Sequence, residues 1–232
     1  MLLLTRQMAS RNVMGLSLWQ VMAVLLGVPA LYVANSLSPW ARGLFQHRDH
    51  AFFLPFWTSI AVLHWSSTMM VLVLLKRAGR RLADIGLEVS PLRIAAMVGI
   101  PLAIGLGLTV LAETSGANQG LSVELSPVLP ATRGERVFWI FISFTAGFCE
   151  ELIYRGFGIR ALRWRNVPAW LAVSFATMAF FLMHGVWAMT LSALLTIGIA
   201  GLLFSALFLW RRSLVPGICL HALIDVANIG SS

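Results

Sequence analysis

The sequence predicts an all-α fold: a polytopic membrane helical bundle of about seven transmembrane helices, forming a single integral membrane domain over residues 1–232. Three observations predict it. Of the 232 residues 59% are hydrophobic and only 11% charged, and the mean hydropathy of +0.84 lies outside the range of soluble domains. Uncharged runs long enough to cross a bilayer recur along the chain. The charged residues fall mostly between those runs, where topology rather than ligand binding explains them.

Taken in order, residues 15 to 37, 52 to 75 and 94 to 112 each form an uncharged run of membrane-crossing length. Arg6 and Arg11 precede the first run as in a signal peptide, but the run is too long for one, so a retained span is expected. A fourth span runs from about 137 to about 157 once Glu150, Glu151 and Arg155 are admitted. Between Arg165 and Arg211 lie 45 uncharged residues, enough for two spans with a break near His184-Gly185-Val186. A seventh starts near Leu214 and carries His221 and Asp225. The segments Lys76 to Arg93 and Gly158 to Asn166, where charged and apolar residues alternate, are expected along the membrane surface. The loop from Glu113 to Arg136 is the sizeable outer one.

Basic residues set the orientation. Thirteen of the seventeen Arg and Lys residues, among them Lys76, Arg77, Arg160 and Arg211, fall on one side, and Arg42, Arg48, Arg133 and Arg136 on the other. The positive-inside rule makes the first side cytoplasmic, together with the N-terminus, in what reads as a bacterial inner membrane protein. The formal charge of +8 does not mark a nucleic-acid binder, because no basic, aromatic-studded face is present. Cys149 and Cys219 both sit in apolar spans and read as packing rather than as a disulfide pair or a nucleophile.

Charge inside a span is the signal that bears on function. A charged side chain at the bilayer centre costs about 2.5–3.5 kcal/mol even on lenient scales, and Glu150, Glu151 and Arg155 stand together in one. Helical spacing sets Glu150 and Glu151 on different faces and stacks Glu151 over Arg155, four residues on. Glu151 is thereby neutralised, and Glu150 is left without a local partner. Burial of an unpaired carboxylate suits it to exchange protons near neutral pH, as a general base must. A structural ion-pair cluster of all three is the rival reading. His221 and Asp225, four apart, share a helix face, so the carboxylate is placed to orient the imidazole. His184 follows Phe180 by four. His64, alone in the second run, reads as an interhelical hydrogen bond.

Glu-Glu-x-x-x-Arg at 150 to 155, Phe-x-x-x-His at 180 to 184 and His-x-x-x-Asp at 221 to 225 occur in that order on successive apolar runs. The pattern resembles the CPBP intramembrane proteases, which include type II CAAX prenyl endopeptidases, the lysostaphin resistance protein A-like group and Abi proteins of bacteriocin immunity. It covers a core of about 137 to 230. The resemblance implies intramembrane hydrolysis of a peptide bond in a membrane-embedded or lipid-anchored substrate. It makes Glu150 the base that activates water with His184, His221 and Asp225 stabilisers of the oxyanion, and Glu151 with Arg155 their support. The chemistry agrees on Glu150: hydrolysis needs an activated water and donors aimed at the developing charge. Glu150, His184 and His221 are also reasonable ligands for Zn2+, but no His-Glu-x-x-His run is present. Spacing leaves zinc hydroxide and a metal-free mechanism both open, with preference for the latter because Glu150 cannot easily be ligand and base at once. Two other classes stand beside the enzyme: a non-catalytic immunity or scaffolding protein, and an ion- or proton-coupled carrier, against which the lack of repeated halves speaks. A difficulty of depth accompanies the constellation. With span ends at Phe157, Pro168 and Leu214, Glu150 and His221 lie roughly 10 Å in and His184 roughly 24 Å.

Overall fold

The computed structural model describes residues 15–88, 90–115, 128–184, 191–227 and 229. Among them there is no strand. The helices are α1 (Leu18–Asn35), α2 (Pro39–Phe45), α3 (Phe53–Arg77), α4 (Pro91–Ser115), α5 (Arg133–Glu150), α6 (Arg160–Trp164), α7 (Ala169–His184), α8 (Leu191–Arg211) and α9 (Val215–Ala227). A π-helical stretch, Glu151–Ile159, joins α5 to α6 without a break. α1, α3, α4, the continuous α5–π–α6 rod and α8 are long and apolar enough to cross a membrane, and α7 and α9 are shorter apolar helices. The seven apolar runs of the sequence are thus the seven apolar helices of an integral membrane bundle. Arg6 and Arg11, most of the outer loop and the break after His184 lie outside the described residues.

Helix starts are set by local chemistry. Ser17 caps α1 by accepting from the Gln20 backbone N–H, and Gln20 accepts in return from that of Ser17. Thr132 and Glu135 form the same reciprocal cap on α5, and His50, just before α3, reaches Glu135 at 2.8 Å. The α5–π–α6 rod is the axis of the bundle: 67% of its most apolar window is buried inside the protein, against 22% for α4 and for α8. α9 lies directly on α5 because Gly147 lets it. A Cβ there would stand 2.9 Å from the Ala222 backbone nitrogen and 3.0 Å from the Ile218 carbonyl oxygen.

Two expectations change. The fourth helix does not end near Phe157 with a separate surface segment after it; Gly158 to Trp164 continue the same rod, with Ile159, Ala161 and Leu162 buried. The segment after α3 also packs part of itself inward. Its short 3-10 turn, Leu82–Ile85, buries Ile85 and is followed by buried Leu87. The left-handed Gly86 (φ 87°) then accepts from the Leu214 N–H at 2.9 Å. A side chain at Gly86 would meet Phe208 and the Arg212 carbonyl. The contact with Gly86 gives the Leu214 N–H, just before the 13-residue α9, a backbone partner.

The contacts also sort the two ends. At one, Arg165 donates to the Leu16 carbonyl, Arg80 lies over Trp164 and Arg160 over Phe208. At the other, His50 meets Glu135 and Trp57 donates to the Val128 carbonyl.

Candidate active site

The π-helical stretch places the paired carboxylates. Such stretches are rare and occur disproportionately at functional sites. Here it begins at Glu151, one residue after Glu150 closes α5. Both carboxylates reach a single imidazole from its two edges: Glu151 Oε1 lies 3.3 Å from His221 Nδ1, and Glu150 Oε2 lies 3.7 Å from His221 Nε2. The separation onto different helix faces therefore does not keep them apart, because α9 carries His221 between them. Gly217 allows that approach, since a Cβ there would stand 2.9 Å from Glu151 Oε2.

Glu151 and Arg155 pair as the spacing predicts, at 2.9 Å, with both side chains 1% exposed. The guanidinium lies 4.2 Å from the Phe180 ring centre and 5.3 Å from that of Phe204, and donates to the Gly201 carbonyl. Arg155 is a core residue rather than a member of the basic end. Phe204, on α8, also stacks on His221 at 5.0 Å, a role no motif signalled.

Glu150 is not without a partner. His64 Nε2 lies 2.9 Å from its Oε1, so the histidine read as an interhelical bond makes that bond to the candidate base. His184 Nε2 lies 3.9 Å and His221 Nε2 3.7 Å from the other oxygen, Oε2. Oε2 is buried and makes no hydrogen bond among the described residues. His64 and His184 are oriented alike: each Nδ1–H donates at 2.9 Å to the carbonyl four residues back, Ile60 or Phe180, which turns Nε2 toward the carboxylate. Asp225 Oδ2 lies 3.8 Å from His221 Nε2. The carboxylate of Glu150 is 4% exposed, whereas His184 and Asp225 are 20% and 28% exposed and form the open edge.

The depth difficulty disappears with the true helix end. Measured from Trp164 and Ala169, Glu150 and His184 both lie roughly 20 Å along their helices, and His221 Nε2 stands 3.7 Å from Glu150. All six residues of the constellation are thus brought together, with His64 added.

A zinc ion takes nitrogen and oxygen donors at about 2.0–2.2 Å. Glu150 Oε1 and His221 Nδ1 are already engaged by His64 and Glu151. Among the described residues no three His, Cys, Asp or Glu side chains converge closely enough to hold a metal ion. The donors that remain for zinc are Glu150 Oε2 and the Nε2 atoms of His184 and His221.

No curated protein and no solved structure matches the chain at a significant level. Residues 132–227 match the family model described as type II CAAX prenyl endopeptidase Rce1-like. That segment supplies Glu150, Glu151, Arg155, His184, His221 and Asp225, and over it the chain is similar to that endopeptidase family.

Proposed function

We propose that this protein is an intramembrane endopeptidase in which Glu150 activates water to cleave a membrane-associated or C-terminally anchored, CAAX-type substrate. The observation that carries the reading is a buried carboxylate with one oxygen that makes no hydrogen bond among the described residues and is faced by the Nε2 atoms of His184 and His221. Gaps of 3.7–3.9 Å are too long for direct hydrogen bonds and of a size that water bridges.

A water held between Oε2 and His184 Nε2 gives its proton to Glu150 as its oxygen attacks the scissile carbonyl carbon. General base assistance of this kind contributes about 10²–10⁴-fold. The carbonyl oxygen becomes an oxyanion at the His221–Asp225 edge. With Nδ1–H held by Glu151, His221 donates from Nε2 only when its ring carries both protons, and a neutral Asp225 is the second donor. Collapse of the intermediate breaks the C–N bond, and Glu150 returns the proton to the departing amine. Glu151 and Arg155 fix His221 and take no proton. The chain works as one integral membrane unit with its basic end, and its N-terminus, in the cytoplasm.

The test is cleavage of a library of lipid-tailed membrane peptides by detergent-purified protein, wild type against Glu150→Gln, with and without a zinc chelator. Cleavage that survives chelation and vanishes in Glu150→Gln is expected. Retained cleavage in Glu150→Gln would sink the base assignment, and loss on chelation with recovery on zinc would replace the mechanism. Proton uptake without cleavage by reconstituted protein would favour a carrier, and neither activity an immunity or scaffolding role.

A further inference from the structure

We infer that His64 is a positioning residue for the candidate base, holding Glu150 Oε1 so that only Oε2 faces the reacting water. The inference rests on the proposed role of Glu150 and adds to it a residue from α3, well outside residues 132–227 that carry the family match.

The Ile60 carbonyl can only accept, so His64 Nδ1 bears a hydrogen. Nε2 and Oε1 are 2.9 Å apart, buried on both sides, with exposures of 4% each. Two bare acceptors at that distance would repel, so a hydrogen lies between them. A base must be ionised, so in the working enzyme the ring owns it and Oε1 is occupied. Oε2 then becomes the one carboxylate oxygen with lone pairs open to a water beside His184 and His221.

The surroundings hold the ring in place. The Tyr32 ring of α1 meets it edge-on at 5.3 Å and 87°. Asn35 donates to Ser59, tying α1 to α3. The next residue, Trp65, donates to Thr145 and ties α3 to α5 near Glu150. A histidine that served only as an interhelical bond would have no need of an anchored Nδ1 and an edge-packed ring aimed at the reacting carboxylate.

The experiment measures kcat and KM on a CAAX-type lipid-tailed peptide, with the detergent unfolding temperature, for three variants. His64→Gln places an amide N–H where Nε2 stands, His64→Asn keeps the amide but is too short to reach Oε1, and His64→Leu keeps the volume without a donor. Loss of a hydrogen bond to a charged group predicts kcat about 10–100-fold lower for Leu and Asn. KM should stay within about threefold and Gln should keep kcat within about fivefold of wild type. Wild-type kcat in Leu or Asn, or a Gln variant that folds normally and loses as much kcat as Asn, overturns the inference. If Leu does not fold, the Gln–Asn pair decides. Glu150→Gln, run alongside, separates the two claims. If it stays active the base reading fails whatever His64 does. If it is inactive while His64→Leu keeps its kcat, only the positioning role fails.

Discussion

Arg155 heads the fully buried side chains in size among the described residues, and its burial makes the strongest prediction about a single site. The guanidinium is matched by Glu151 and two aromatic rings, so removing it leaves a carboxylate that is 1% exposed with the His221 ring alone against it. Breaking such a pair from one side costs about 3–5 kcal/mol, whereas replacing both partners is far milder. Arg155→Leu should therefore unfold at a much lower temperature in detergent, and Glu151→Gln/Arg155→Leu should recover most of the loss. Equal stability of the single and double variants would show that the ion pair is not what holds this turn. At this scale the motif residues were legible because charge in an apolar run is conspicuous, and the Glu151–Arg155 pair followed from spacing alone. His64 was not legible as a site residue. Its partner is 86 positions away, and a lone histidine on an apolar helix has no local pattern to mark it. Phe204 was hidden for the same reason, being one aromatic among many.

Between residue and molecule, the working unit is α5 with its π-helical continuation against α9. Gly147 sets their separation, with the Ala222 nitrogen and the Ile218 carbonyl 2.9 and 3.0 Å from where a Cβ would stand. Both are backbone atoms and cannot swing aside, so Gly147→Ala must push α9 outward. Overpacking of this kind costs about 1–3 kcal/mol, and the displaced helix carries His221 away from Glu150 and Glu151. The expected result is a folded variant with a lowered unfolding temperature and a kcat reduced far more than its stability. Unchanged kcat would mean that the α5–α9 spacing does not set the site. Every apolar helix was visible in the sequence by length and hydropathy, but the end of the fourth was not. Arg155 and Arg160 looked like the membrane boundary, whereas Arg155 is neutralised inside the core and Arg160 rests over Phe208. The π-helical winding also lies beyond sequence reading, since it depends on what packs against it rather than on propensity.

For the whole molecule, the helix count and the sorting of its ends combine into a statement about sidedness. Crossing by all seven apolar helices of the described residues would set the start of α1 and the end of α9 on opposite faces of a bilayer, and Arg80, Arg160 and Arg165 gather at the face where α1 begins. Basic loops stay on the cytoplasmic side, so the turn after α3 should face the cytoplasm and the α2 region, tied to α5 through His50 and Glu135, should face out. The native cysteines interfere little, Cys149 being buried and Cys219 replaceable by alanine. Single cysteines at Gln46 and at Ala83, both exposed, then report on the two faces through a membrane-impermeant maleimide. Gln46→Cys should label in intact spheroplasts, and Ala83→Cys only after the membrane is opened. The reverse pattern would invert the protein in the membrane and put the basic end outside. Labelling of both in intact spheroplasts would contradict the seven-helix crossing itself, because the two positions bracket α3, a helix of 25 residues that spans about 37 Å.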